Sequence, residues 1–246
     1  MPPVTSRALI LQAFPYSDTS KILRLYTADY GLRSAIARGA LRPRSRNGGV
    51  LEPFTEGEAT LYLQPGRDLQ TLGGFDLLKS RQALGRDLTG FAGASLIAEL
   101  LLRFTTEEPN SALLDVACAV LDAIAAAAPD EVETAVIGGA WLIVSLLGFR
   151  PRTDACVTCG RVLESDEVAR FDVEGGGVAC AVCRPHGRPF DAASRLELER
   201  MVGGDVLDTP LARPELHHAL LRTFLGTHLS AEHPLRSLEL FVRAHG

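Results

Sequence analysis

Four cysteines fall in two pairs with the spacing of a metal site. Cys156 and Cys159 form one C-x2-C pair, and Cys180 and Cys183 form a second pair twenty residues further on. Two intervening residues let both thiolates of a pair converge on one ion, and four thiolates suit tetrahedral Zn²⁺ with Zn–S distances of about 2.3 Å. Because four protein ligands fill the coordination shell, the spacing predicts one structural zinc ion rather than a catalytic one.

The remaining cysteine and three histidines could also supply ligands, but another interpretation is favoured for each. Cys118 lies in an apolar helical pattern and is expected in the core. His186 follows Cys183 by three residues and is an alternative ligand, although an exposed loop histidine is favoured. His217 and His218 lie in a late helix and are expected at the surface.

Positive charge and aromatic residues are concentrated in the first 80 residues. This segment holds 10 Lys and Arg against 7 Asp and Glu, whereas the rest of the chain holds 15 against 23. All four tyrosines lie here. Since arginines contact phosphates and aromatic faces stack unpaired bases, the combination favours binding of nucleic acid despite a net charge of -5.

Two parts of this segment are distinguished by their pattern. Arginines on alternate residues mark a Pro- and Gly-containing loop between residues 39 and 53, at Arg42, Arg44 and Arg46. Phe14, Tyr26 and Tyr62 fall in predicted strands and are expected to be core residues rather than stacking platforms. A solvated arginine loop without a ligand is an equal alternative on composition alone.

Alternating patterns and turn residues predict five strands before residue 80 and helices after it. Five short strands in one segment favour a small barrel or sandwich. The predicted strands are Thr5–Phe14, Lys21–Thr27, Arg33–Arg38, Glu58–Leu63 and Leu69–Gly74.

From about Gln82 the period becomes 3.6, which predicts helices. They are expected around Phe91–Phe104, from Ser111 to near Pro129, from there to Gly148, and over Ser194–Val202, Pro214–Leu229 and His233–Ala244. A hairpin of Val162–Leu163 and Val168–Phe171, turned at Gly175–Gly177, is expected between the cysteine pairs. The predicted domains are 1–80 and 81–246, with a zinc module at about 150–190.

Composition and missing motifs limit the classes of protein. Hydrophobic residues make up 46% and charged residues 22%, as in ordinary globular proteins. The apolar stretch Ala135–Phe149 is too short to span a bilayer, so we expect a buried helix and no membrane association. No secretory signal is evident, which favours a reducing, cytoplasmic compartment. No phosphate loop, G-x-S-x-G or H-E-x-x-H motif occurs, so no enzymatic activity is expected.

The assembled order resembles the RecO family of bacterial DNA-repair recombination mediators. The resemblance is carried by residues 16–22 (YSDTSKI), by Tyr30-Gly31 with residues 37–46 (ARGALRPRSR), by residues 51–54 (LEPF), and by the four cysteines within a helical domain. It covers nearly the whole chain and is most specific in residues 15–55. It implies an α+β multidomain fold: an N-terminal five-stranded OB-fold β-barrel, then an α-helical bundle with an inserted four-cysteine zinc-finger module.

The resemblance also implies a function. RecO-like proteins bind single- and double-stranded DNA and anneal complementary strands. With the partner RecR they help to load RecA onto DNA covered by single-stranded-DNA-binding protein, in the RecFOR pathway. The resemblance also implies a cytoplasmic, nucleoid-associated location. The implied DNA contacts are Lys21, Arg24, Arg33, Arg38, Arg42, Arg44 and Arg46, extended by Lys79, Arg81 and Arg86.

Three other readings share parts of the pattern. An RNA-binding or transcription-associated zinc-ribbon protein would carry the same barrel and knuckles. A zinc enzyme such as a hydrolase would need an open coordination position. A scaffold that binds only proteins would fit the acidic C-terminal part.

Overall fold

The computed structural model describes residues 2–43, 45, 49–207, 209–229 and 234–245. Its N-terminal part is a closed barrel of five strands in the order β1-β2-β3-β5-β4. All neighbouring strands are antiparallel except β3 and β5, which pair in parallel and complete the OB-fold closure. The strands are β1 Val4–Pro15, β2 Lys21–Thr27, β3 Gly31–Ala37, β4 Glu56–Tyr62 and β5 Leu69–Lys79.

Small and branched side chains fill the barrel. Ala8, Ile10, Leu23 and Leu25 are completely buried there, as alternation along β1 and β2 requires. A β-bulge between Ile10 and Gln12 shifts the register of β1 against β2 by one residue. A bulge reverses the faces to which later residues point. The last third of β1 therefore presents the opposite set of residues to the interior.

Two helices follow the barrel in the same compact unit, Met1–Ala125. Each begins at a side chain that accepts a hydrogen bond from a free backbone amide, as N-caps do. Asp87 accepts from the Gly90 amide at 2.7 Å, and Asn110 accepts from the Leu113 amide at 2.9 Å. The last barrel strand ends at Lys79, and the compact unit continues through α1 Leu88–Phe104 and most of α2 Ser111–Ala126.

The second unit, Ala126–Gly246, is helical with a small sheet. Its elements are α3 Val132–Val144, β6 Ala169–Asp172, β7 Gly177–Ala179, β8 Pro189–Phe190, α4 Ala192–Gly203, α5 Pro214–His228 and α6 Arg236–His245. Helix α3 continues into a π turn, Ser145–Phe149, and carries Trp141, which is completely buried against Phe224.

One helical stretch of the described chain, Val132–Phe149, is long and apolar enough to cross a membrane by length and composition. Half of it is buried inside the protein. A core helix of a folded domain has the same properties, so this stretch is weak evidence for a membrane span.

The predicted order of five barrel strands followed by helices is confirmed, but β5 and the small sheet differ from the prediction. Strand β5 extends five residues beyond the predicted Gly74, to Lys79. The predicted hairpin between the cysteine pairs is wrong in one strand. Strand β6 pairs with β7 rather than with Val162–Leu163, and Val162 forms an isolated bridge with Ala155.

Candidate metal centre and nucleic-acid interface

The four predicted ligands come together. The Sγ atoms of Cys156, Cys159, Cys180 and Cys183 all lie within 4.8 Å of one another, and those of Cys159 and Cys180 are 4.0 Å apart. A tetrahedron of sulfurs around zinc has edges of about 3.8 Å, from Zn–S distances of about 2.3 Å. The cluster therefore fits one metal ion with small adjustments. His186 is exposed and does not belong to the cluster within the described residues.

Backbone hydrogen bonds hold the two cysteine pairs side by side. In the first pair the Gly160 amide donates to the Cys156 carbonyl at 2.9 Å, with Gly160 at φ 75°, a conformation that favours glycine. In the second pair the Arg184 amide donates to the Cys180 carbonyl at 3.0 Å. The Val157 amide donates to the Val178 carbonyl at 2.8 Å, so the first turn is tied to β7, which leads into the second.

The electrostatics of the cluster favour a cation. Burial raises the pKa of Cys156, but hydrogen bonds from the backbone of Cys180, Cys159 and Thr158 outweigh burial and bring this pKa to about 6. The Cys183 backbone amide lowers the pKa of Cys180. Hydrogen bonds with Cys159 and Cys180 raise the pKa of Cys183 to about 12. Crowded sulfurs without an ion thus retain a proton, which a divalent cation would replace.

Two side chains from helices anchor the metal module within its unit. The Arg195 side chain on α4 is almost fully buried and donates to the Thr153 carbonyl at 3.3 Å and to the Glu164 carbonyl. The Nε2 atom of His228 on α5 lies 2.6 Å from the Val173 carbonyl oxygen. The packing of α4 and α5 is therefore coupled to the shape of the cysteine module.

The expectation that His217 and His218 lie at the surface was wrong. His217 is completely buried with Nε2 2.9 Å from Glu197, and His218 is 9% exposed with Nε2 2.5 Å from Glu133. Burial lowers the pKa of His217 despite the opposing effect of Glu197. Both histidines lie on the buried side of α5. Glu197 and Glu133 each pair with a ring nitrogen that would otherwise be costly to bury.

On the outer surface of the barrel, a largely apolar row runs across all five strands. Strand register places Phe14, Ile22, Ile36, Thr71 and Tyr62 in consecutive cross-strand positions. The two aromatic residues at its ends are 43% and 42% exposed. We call this row the barrel face. Exposed aromatic side chains on a sheet can stack unpaired bases.

The expectation that aromatic residues in strands are core residues holds for one of three. Tyr26 is buried, whereas Phe14 and Tyr62 project from the barrel face. Phe14 lies beyond the β1 bulge, which turns it outward and leaves Ala13 against the core. The Tyr62 ring lies over Gly73 of β5, so closely that a Cβ on this glycine would come within 2.7 Å of it.

Three predicted cations beside the barrel face have no ion pair among the described residues. Arg24 lies in the adjacent row, between Gln12 and Ser34. Arg38 and Arg42 are exposed in the turn after β3, where the Leu41 amide donates to the Thr19 carbonyl at 2.9 Å. These cations therefore border the apolar row and the β1–β2 turn. Arg44 and Arg46 lie outside the described residues.

The other predicted DNA contacts are divided between exposed and paired positions. Arg86 is exposed, and no ion pair is recorded for it within the described part of the chain. Three cations have carboxylate partners: Lys21 with Glu52 at 2.7 Å, Arg33 with Glu107, and Lys79 with Asp122 at 2.8 Å.

Arg81 has an interior position. Its side chain is 1% exposed and pairs with Glu56 at 2.8 Å and Asp122 at 2.6 Å, while Nη1 donates to the Phe54 carbonyl at 3.1 Å. Glu56 in turn pairs with Arg7 at 2.8 Å. Such a guanidinium cannot reach a phosphate, so we assign Arg81 a structural role and leave it out of the interface.

Sequence reasoning missed Arg67. It lies in the β4–β5 turn, is exposed, and has no ion pair within the described ranges. The turn motif Pro65-Gly66 identified the loop but gave no reason to connect Arg67 to Arg33 on β3. The parallel pairing of β3 with β5, which no local pattern encodes, makes that connection.

Comparisons with known proteins agree with this architecture. A family model described as "Recombination protein O N terminal" matches residues 1–81, and one described as "Recombination protein O C terminal" matches residues 85–239. A protein of Anaeromyxobacter sp. (strain Fw109-5), called DNA repair protein RecO, is 33% identical over 233 residues, covering 90% of this chain and 89% of its own. Proteins of the same name from Rubrobacter xylanophilus and Bifidobacterium adolescentis are 33% and 27% identical, over 75% and 98% of this chain and 73% and 99% of their own.

Proposed function

Because the chain belongs to the RecO family of DNA repair proteins, we propose that it is a non-enzymatic recombination mediator that binds DNA and anneals complementary strands. The observation that carries this proposal is the barrel face, where exposed aromatic residues are bordered by arginines that have no carboxylate partner among the residues the structure describes. We take Arg24, Arg38 and Arg42 as its principal phosphate contacts.

Annealing requires no covalent chemistry. Two DNA strands repel each other through their phosphates, and bound arginines reduce that repulsion while raising the local concentration of both strands. Aromatic stacking at Phe14 and Tyr62 would hold a strand without reading its sequence. A closed barrel offers no free strand edge for pairing with another protein, which leaves its outer surface as the natural binding region.

The proposed partners are single- and double-stranded DNA, RecR, single-stranded-DNA-binding protein and, indirectly, RecA. Family membership is the support for these protein partners and for a cytoplasmic, nucleoid-associated location. The paired cations Lys21, Arg33 and Lys79, the exposed Arg86, and the undescribed Arg44 and Arg46 remain proposed secondary contacts.

We further propose that the four cysteines hold one structural Zn²⁺. When bound, zinc supplies charge neutralisation and a cross-link between the two cysteine turns. The residues of the chain do the rest: backbone amides around Cys156 and Cys180 stabilise ionised sulfur, and Arg195 and His228 connect the module to α4 and α5. A shell of four sulfurs leaves no position for a substrate.

The test of DNA binding is a double substitution, Arg24→Ala with Arg42→Ala. We expect single-strand affinity in dilute buffer to fall about tenfold or more, and the slope of log K against log salt to become shallower by about 1.4, at 0.7 per lost contact. Fluorescence anisotropy with labelled oligonucleotides measures both quantities. Strand annealing without a nucleotide cofactor should slow in parallel.

The matched control removes the exposed arginines Arg150 and Arg188, which have no ion pair among the described residues and lie outside the barrel. Equal losses in both double variants would mean that net charge rather than the barrel face governs binding. A wild-type protein that ignores oligonucleotides in dilute buffer would refute the proposal. A clear preference for RNA over matched single-stranded DNA would favour the RNA-binding alternative.

A further inference from the structure

At one end of the barrel, a cavity of about 350 Å³ opens between the β4–β5 turn and the loop joining α1 to α2. Arg33 at the start of β3, the turn residues 63–68, Gln70 and Glu107 line it. We call it the mouth pocket. Its volume is near the lower limit for small-molecule sites, roughly 300–1,000 Å³.

Both loops that border the mouth pocket are held in place. The Gln70 side chain is buried and donates to the carbonyls of Gln64 and Arg67 at 3.2 and 2.5 Å, while accepting from the Gln64 amide at 2.7 Å. These side-chain hydrogen bonds hold the β4–β5 turn in one conformation, as backbone hydrogen bonds would.

Across the pocket, the α1–α2 loop is seated directly against β3. The Leu32 amide donates to the Thr106 carbonyl at 2.8 Å. A Cβ on Gly31 would come within 2.5 Å of the Glu108 carbonyl oxygen, and Gly31 has φ 61°. Only glycine permits this close approach, so the pocket is preformed rather than an opening between loose segments.

The polar groups of the mouth pocket combine donors and acceptors. The Arg33 side chain is 15% exposed and pairs with Glu107, whose side chain is 69% exposed. The Nε atom of Arg33 is buried and has no hydrogen-bond partner among the described residues. Two cations, Arg33 and Arg67, face two carboxylates, Asp68 and Glu107, so the lining is electrically balanced.

A balanced lining disfavours a phosphate, which two carboxylates would repel. It suits a neutral, flat group with its own donors and acceptors. The edge of an unpaired nucleobase has these properties, and single-strand-binding proteins commonly receive bases that have been turned out of the stack. The pocket also lies beside Leu69, which pairs with Ser34, and Ser34 pairs in turn with Arg24. The pocket is therefore connected across the sheet to one of the proposed phosphate contacts.

We propose that the mouth pocket receives one unstacked base of a single DNA strand, with Glu107 accepting hydrogen bonds from base N–H groups and Arg33 donating to a base nitrogen or oxygen. This inference rests on the proposed DNA binding. A base paired in a duplex has its Watson–Crick edge occupied, so the pocket would favour single over double strands.

The test is a thermodynamic cycle between Glu107 and the base. Affinities of the wild type and of Glu107→Ala are measured for an oligothymidine and for an abasic strand of equal length. We expect the variant to lose about tenfold affinity for the oligothymidine relative to the abasic strand, the effect of a hydrogen bond to a charged group. Glu107→Gln keeps one acceptor oxygen and should recover part of the loss.

Glu108→Ala is the matched control, since it removes the same charge from the next residue, which does not line the cavity. It should shift both strands equally. If Glu107→Ala raises affinity for both strands alike, or leaves both unchanged, base capture is overturned and the DNA-binding proposal stands. If the wild type binds neither strand, both proposals fail. Unchanged melting temperatures ensure that binding is compared between folded proteins.

Discussion

The guanidinium of Arg81 donates four hydrogen bonds inside the protein, to Glu56, Asp122 and the carbonyls of Phe54 and Cys118. Breaking a buried ion pair from one side leaves uncompensated charge and typically costs about 3–5 kcal/mol. We expect Arg81→Ala to lower the free energy of unfolding by about that amount in urea denaturation followed by far-UV circular dichroism. Lys79→Ala is the control: it loses a half-exposed pair with the same Asp122 and should cost about 1 kcal/mol or less.

The carboxylates around Arg81 give the first unit a dependence on acid. Burial raises the pKa of Glu56, yet its pairs with Arg81 and Arg7 hold that pKa below the ordinary 4.5. A lowered pKa stabilises the folded state above the unfolded-state pKa, and the contribution is lost as the pH falls through the folded-state value. Urea midpoints measured by tyrosine fluorescence should therefore decline below pH 4.5. Glu56→Gln should make this decline shallower, and an unchanged slope would contradict the assignment.

His217 has the opposite kind of charge but the same direction of pH dependence. Burial lowers its pKa below the ordinary 6.5, so the unfolded chain binds the proton more readily than the folded one. Stability of the second unit should fall as the pH drops below 6.5 toward the folded-state pKa. Fluorescence of Trp141, the only tryptophan, measures this unit. The fall should vanish in His217→Phe if that variant folds, and a persistent slope in it would point to other groups.

Removal of the metal should destabilise the second unit, which contains the four cysteines, more than the barrel. Removal of the proposed zinc would leave four crowded sulfurs beside the segments that Arg195 and His228 hold. We expect a strong chelator, or Cys156→Ser, to lower the melting temperature reported by Trp141 while tyrosine fluorescence of the barrel changes little. Cys118→Ala should retain one equivalent of zinc, because Cys118 is a buried thiol in α2 with a pKa raised by burial to about 12. Identical melts with and without chelator would refute the structural role.

Local patterns were sufficient for most elements and for the clustering of the four cysteines. Lys21–Thr27 alternates in sequence and forms β2 with those bounds, and the C-x2-C spacing forces convergence of the sulfurs. The outward direction of Phe14 was beyond such patterns, since a bulge depends on pairing with β2. The burial of Arg81 and of both histidines depends on carboxylates 20 to 85 residues away in sequence, which periodicity cannot identify.

The uneven distribution of charge acts over the whole chain. The first 80 residues are net positive and the remainder strongly negative, so phosphates are attracted to one part of the chain and repelled by the other. Association with DNA should therefore slow steeply as salt increases, because exposed charges are screened within about 10 Å at 0.1 M. Stopped-flow measurement of the association rate at several salt concentrations tests this. A rate that ignores salt would mean that steering is absent.

Because β1 contains a bulge, the number of residues in this strand decides which side chains lie on the outer surface of the barrel. Between Ile10 and Gln12, strand β1 has one residue more than strand β2, and this extra residue sets which way the side chains from Gln12 to Pro15 point. Pairing the same residues without a bulge would turn Phe14 into the interior and Ala13 toward water. Deleting Leu11 would instead keep Gln12, Ala13 and Phe14 opposite Arg24, Leu23 and Ile22, so that Phe14 would still point outward. A homologue that lacks one residue at this site would therefore keep the same outward row, whereas an inserted or deleted residue between Gln12 and Phe14 would reverse it.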